Sequence, residues 1–278
     1  MTPAILTAAI VGAETTREQN PNLPLTAEEI GVEAARCREN GAAIIHLHVR
    51  EPDGKPSQSR ELFARAFEEI RKRSDVIIQT STGGAVGMSA EERAQPVSLK
   101  PEMASLNCGT LNFGDEIFDN PFPLMRKMAR LIRDAGVTPE LELYEFGHLD
   151  NALLLAKEGL LLPPYHVQLV LGVRGGMAPS EARIRLLVSE LPPDSSWGVA
   201  GIGRHQLPMA RLALELGGNA RVGLEDNVYV RKGVLAQGSW ELCAEARTLA
   251  ADAGRTLASP AEARTLLGLP PAAGAPKN

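Results

Sequence analysis

The stretch GAAIIHLHVREPDG, residues 41–54, sets His46 and His48 two positions apart inside an apolar run. A β-strand repeats its side-chain direction every second residue, so both imidazoles face one side and Leu47 the other. Two rings side by side at a strand end suit a metal, and they equally suit two hydrogen-bonded structural histidines. Late in the chain, RVGLEDN (221–227) adds adjacent carboxylates, Glu225 and Asp226, close to Arg221. Neighbours in an extended segment point to different sides, which predicts different tasks for the two. Two histidines and one carboxylate make a usual catalytic zinc set with a position left open for water or substrate. Glu225 is therefore expected as the third ligand. Asp226 is then free to act as a base, with Arg221 placed to keep it ionised and oriented.

The elements between these residues must bring position 46 to position 225. Short β-rich runs alternate with longer amphipathic ones throughout. Strands are expected at Ile5–Val11, Ala43–Val49, Val76–Thr80, Met103–Leu106, Thr138–Leu143, Val167–Leu171, Trp197–Gly201 and Ala220–Gly223. The first helix opens at Thr26, which forms a capping box with Glu29, and Asn40-Gly41 closes it. Further helical patterns lie near Arg60–Arg73, Leu124–Ala135, Leu149–Glu158, Ser180–Glu190 and Gln206–Leu216. Alternation of this kind implies a parallel sheet. Eight units in 278 residues favour an α/β fold of the (β/α)8 TIM-barrel type, which typically needs about 250 residues. A doubly wound sheet would want a G-x-G-x-x-G turn after the first strand, and VGAETT is not one. No repeat or linker divides the chain, so one barrel domain is expected over 1–278, with a loose tail from about residue 270.

In such barrels the reactive groups sit at the C-terminal strand ends. Those ends here carry Glu14, the histidine pair, Ser81 and Thr82 in QTSTGG, Ser105 and Asn107 in SLNCGTLNFG, and Glu142. STGG is either a tight turn or a hydroxyl pair able to bind a carboxylate. LGVRGGM and GIGRHQ are glycine-rich turns able to cradle phosphate, and Arg174 and Arg204 within them are either phosphate contacts or solvated charges. His148 and His166 read as structural. Cys108 reads as a small buried residue, because no histidine adjoins it to activate a thiolate.

Bulk properties narrow the function. A hydrophobic content of 44% describes an ordinary soluble domain, and a net charge of −5 gives no general attraction to nucleic acid or anionic membrane. Three widely spaced cysteines argue against a disulfide framework and for a reducing cytoplasm. The N-terminal apolar stretch is short and lacks a basic start, so it reads as a strand, and no apolar run approaches the roughly 20 residues that span a bilayer.

Taken together, NPNLPLTAEEI, GAAIIHLHVREPDGKPS, STGG, SLNCGTLNFG, LGVRGGM, WGVAGIGRHQ and RVGLEDN resemble the beta-keto acid cleavage enzymes, over nearly the whole chain. The resemblance implies a zinc-dependent, homo-oligomeric barrel, a dimer or tetramer, that takes a β-keto acid and acetyl-CoA to acetoacetate and a new acyl-CoA. By the same resemblance His46, His48 and Glu225 are zinc ligands, Asp226 is the general base and Arg221 its partner. Ser81 contacts substrate. Ser105 falls on a threonine position, with Asn107 a competing match, and Glu14 and Glu142 match acidic residues near the substrate's far end. Two remote carboxylates favour a cationic tail, such as the amine of 3-keto-5-aminohexanoate or the quaternary ammonium of dehydrocarnitine. Two other functions suit the same residues: a metal-dependent hydrolase of the H-x-H barrel type, and a non-catalytic small-molecule binder on a barrel.

Overall fold

Alternating apolar residues on short strands, each followed by a helix, close the sheet on itself. A computed structural model describes residues 2–269. The barrel strands are β1 (Leu6–Ala9), β2 (Ile44–Leu47), β3 (Ile77–Thr80), β4 (Met103–Asn107), β5 (Thr138–Leu143), β6 (His166–Leu171), β7 (Ser196–Gly201) and β8 (Asn219–Val222). All neighbours are parallel, and β1 pairs with both β2 and β8, which completes the (β/α)8 barrel. The expected strands coincide with these within one or two residues at each end. The tail expected from about residue 270 lies outside the described residues. No described helix is long and apolar enough to cross a membrane.

The helix after β1 (Ala27–Glu39) starts at the expected capping box, with Glu29 N donating to Thr26 Oγ1 at 3.2 Å. It buries Ile30, Ala34 and Cys37 against the helix at Arg60–Arg73 and against a late helix at Ser239–Asp252. That late helix and another at Pro260–Leu267 were not expected from the sequence, nor were three short hairpins. One hairpin, Leu111–Phe113 with Glu116–Phe118, stands over the C-terminal mouth of the barrel.

Strand alternation fills the barrel with polar groups in its upper layers and apolar ones at its floor. Ile5, Ile44, Ile77 and Met103 pack with Leu267 of the last helix to close the floor. His166 sits among them, only 3% exposed, and burial lowers its pKa to about 4. Between that value and the unfolded value near 6.5, the unfolded chain binds a proton that the folded one refuses. Stability is therefore full above about pH 6.5 and falls as the pH drops toward 4, by about 2 kcal/mol from near pH 7 to near pH 5. Urea unfolding at the two pH values should show this loss in the wild type and a smaller one in His166→Phe; equal losses in both proteins would contradict it.

Candidate active site

The site is assembled where the first and last strands meet. At Gly223 (φ +144°) a Cβ would come within 2.1 Å of Ala9 O, so only glycine lets the chain leave β8 against β1. Glu225 and Asp226 consequently lie in a turn and not in the extended segment expected from the sequence. Asp226 N donates to Gly223 O at 3.2 Å, and Glu225 N donates back to Ala9 O at 3.1 Å. Gly12 provides the seat: a Cβ there would fall 2.6 Å from Glu225 Cγ. The Gly12–Thr15 loop is held in turn by buried Arg50, which donates to the carbonyls of Gly12 (2.9 Å), Thr15 (2.7 Å) and Gly54 (2.9 Å). The arginine of H-L-H-V-R thus braces the loop that carries Glu14 and supports Glu225.

The two carboxylates do not face apart; Arg221 gathers both. Its Nε and Nη2 donate to Asp226 Oδ2 and Oδ1 at 2.8 and 2.9 Å, a bidentate pair. Nη2 also donates to Glu225 Oε1 at 2.6 Å, and Nη1 to Glu142 Oε1 at 3.2 Å. One guanidinium therefore serves three acids, and their proton affinities diverge. Burial would raise Glu225, yet the Arg221 guanidinium beside it brings it down to about 2. Burial prevails over Arg221 at Asp226, pushed up to about 6, and at Glu142, pushed up to about 8.

His46 and His48 face Glu225 from β2 and its end, with ring centroids 5.4 Å apart. Their Nε2 atoms lie 3.7 and 3.6 Å from Glu225 Oε1. Ligands bound at ~2.1 Å to a common tetrahedral centre are roughly 3.4 Å apart, so the three side chains already have the spacing of a metal's ligands. The donor set fits a divalent cation on chemistry as well. Burial lowers both imidazoles, His46 to about 3, so they are neutral and keep a lone pair to give. Glu225 is ionised, and its Oε2 is buried without a partner. His46 also lies within ligand spacing of Glu140 and Glu142. Burial drives both of those acids toward the neutral form, and Glu142 already accepts from Arg221, so that group suits a proton better than a cation.

A cavity of about 460 Å³ opens above these residues. Glu14, Ser81, Asn107, Glu142, Arg174, Arg221, Glu225 and Asp226 line it together with the two histidines. Both polar atoms of the Asn107 side chain are buried and unpartnered, which marks it as a group awaiting a ligand. Thr82 and Ser105 do not line the cavity: Thr82 Oγ1 donates to Ser105 O at 2.6 Å, and Thr82 N donates to Ser105 Oγ at 3.2 Å. They brace the floor beneath Ser81. Arg174 stands exposed at the mouth, 3.0 Å from Asp115, while Arg204 lies outside the lining. Cys108 is buried, with its thiol pushed up by burial, as its reading as an inert residue expects. His148 is structural in this sense too, its Nδ1 accepting from Tyr144 N at 3.2 Å.

Several lining residues were not anticipated. Tyr144, two residues beyond Glu142, continues the inward face of β5, and Phe113, Glu116 and Phe118 come from the mouth hairpin. A period-two reading extended past the strand end would have found Tyr144. No local pattern says that the hairpin folds back over the mouth.

The model of the beta-keto acid cleavage enzymes matches residues 3–269. The chain belongs to that family. It is 49% identical to the 3-keto-5-aminohexanoate cleavage enzyme of Acetoanaerobium sticklandii, over 97% of this chain and 99% of the relative. Similarity extends at 39% identity to a 3-oxoadipate:acetyl-CoA acetyltransferase of Cupriavidus necator, over 96% of this chain and 95% of that one. It extends at 33% to a 3-dehydrocarnitine:acetyl-CoA trimethylamine transferase of Rhizobium meliloti, over 95% and 96% respectively. Among solved structures, apo ObcA shares the fold with a TM-score of 0.80 at 24% identity, covering 90% of this chain and 66% of that chain.

Proposed function

We propose that this protein is a zinc-dependent enzyme that converts a β-keto acid and acetyl-CoA into acetoacetate and a new acyl-CoA. The observation that carries the reading is the convergence, in one cavity, of a neutral imidazole pair, an ionised Glu225 and an Asp226 held bidentately by Arg221. The names of the family relatives support the reaction class. A zinc ion held by His46, His48 and Glu225 would act as a Lewis acid on the substrate's ketone.

The chain's own groups do the rest. Asp226 takes a proton from the CH2 between ketone and carboxylate, and Arg221 fixes the face from which it does so. Ser81 and Asn107 hold the substrate carboxylate at the cavity floor. The mouth hairpin, with Phe113 and Phe118, shields the reacting carbon from water. That carbon attacks the acetyl-CoA thioester; CoA passes to the substrate's own keto carbon, and the C–C bond beyond it breaks to release acetoacetate. Every atom of the two substrates appears in the two products. Arg174, at the mouth, is placed to meet a CoA phosphate.

Glu14 and Glu116 put acidic groups on the walls, which favours a cationic tail on the β-keto acid, and Glu142, held toward its neutral form, lies beside them. Purified protein given zinc, acetyl-CoA and β-keto acids with cationic, neutral or anionic tails should form acetoacetate and acyl-CoA in equal amounts. The cationic substrate should lead in kcat/KM by about tenfold or more. Product formed without acetyl-CoA would make the protein a hydrolase, and no product would make it a binder. An anionic substrate in the lead would overturn the assignment of the tail.

A further inference from the structure

Beneath the site, on the inward faces of β2 and β3, His46 and Gln79 are register partners. His46 Nδ1 lies 2.6 Å from Gln79 Oε1, in a fully buried contact. An amide oxygen can only accept, so this contact requires the proton on Nδ1 and leaves the Nε2 lone pair directed at Glu225 and His48. Which way the amide points is itself undetermined by His46, because the reversed amide would place an N–H against Nδ1 and select the opposite tautomer.

A second buried group breaks that tie. Glu140 on β5 brings a carboxyl oxygen within 4.8 Å of a ring nitrogen of His46, whose register partner on β3 is Gln79. Gln79 Nε2 and Glu140 Oε1 are both buried and have no hydrogen-bond partner. A carboxyl, even when one of its oxygens carries a proton, keeps a bare oxygen that accepts, so an amide nitrogen opposite that oxygen is favourable and an amide oxygen opposite it is not. We infer that Gln79 and Glu140 form a positioning relay, in which Glu140 orients the Gln79 amide and the amide fixes the His46 tautomer that offers Nε2 to the metal. Neither residue lines the cavity wall at the site, so neither is a catalytic residue. The relay rests on the zinc reading for its purpose, while the tautomer it sets belongs to the metal-free chain.

Two readouts test it. In metal-free protein, 15N shifts of the His46 ring should report one tautomer, with the proton on Nδ1, in the wild type and in Gln79→Glu, whose carboxylate still accepts. Gln79→Leu and Glu140→Leu should show a mixture or the opposite tautomer, and Glu140→Gln, which keeps an acceptor, should retain the wild-type form. In chelator competition, zinc should bind Gln79→Leu about 10- to 100-fold more weakly than wild type, and Gln79→Glu should recover most of that loss. A merely space-filling Gln79 would let leucine serve as well as glutamate. A wild-type tautomer and affinity in Gln79→Leu would overturn the relay, and if that variant fails to fold, the two Glu140 variants decide by the same shifts. Should the wild type bind no zinc, the proposed function falls, and the tautomer data still judge the relay.

Discussion

Asp226→Asn protein is expected to bind zinc as the wild type does and to lose turnover by about 10²- to 10⁴-fold, the range removed with a general base. The asparagine keeps the side chain's shape but has no basic oxygen for the CH2 proton, and its amide nitrogen meets an Arg221 donor where Oδ1 or Oδ2 accepted before. The proposed metal ligands are untouched, because Glu225 keeps its own bond to Arg221. His46→Ala makes the contrast: it takes away one of the three proposed ligands, so metal and turnover should both go. Paired measurements of bound zinc and acetoacetate formation distinguish the two. Turnover near wild type in Asp226→Asn would remove Asp226 from the role of base.

Arg221→Met should be the most destabilising change at the site. The guanidinium is 4% exposed and is shared by Glu142, Glu225 and Asp226. Removing one member of a buried ion cluster typically costs about 3–5 kcal/mol, because the remaining charges lose their partner without regaining water. For a chain of this size that is a fall in Tm of roughly 10 °C. Glu225 and Asp226, the two acids ionised near pH 7, respond by taking up protons, so the loss should be larger at neutral than at acidic pH. Thermal melts of chelator-treated protein near pH 7 and near pH 5 check both points. Arg221→Lys should recover part of the stability and little of the turnover, since an ammonium cannot hold Asp226 by two parallel bonds. A Tm for Arg221→Met within a degree or two of wild type would show that the acids were never charged against this cation.

The barrel and most of its site were legible because they rest on short-range rules. Period-two alternation placed His46 and His48 on one face, and the strand-end rule gathered Ser81, Asn107 and Glu142 at one mouth. What escaped depended on distance. The helix Ser239–Asp252 buries Cys243, Ala246 and Ala250, small residues that leave a faint apolar stripe. Gln79 reads in isolation as one polar residue in the run VIIQT; its importance appears only with the register that sets it beside His46. Thr82 and Ser105 stand near strand ends, where a hydroxyl can face substrate or brace a turn, and only the fold shows that Thr82 Oγ1 donates to Ser105 O and Thr82 N to Ser105 Oγ. The turn at Gly223 was hidden for a related reason: its need for glycine comes from Ala9, at the opposite end of the chain.

That seam between β1 and β8 has a further consequence for how the protein is made. A ribosome delivers the histidine pair early, but Glu225, the proposed third ligand, and its seat come together only when the final barrel strand docks beside the first. An emerging polypeptide would therefore offer a cation only two imidazoles, a weak hold, for most of its synthesis. Under the proposed zinc reading, metal capture is thus deferred until the sheet is closed, and an ion in place would report that closure is complete.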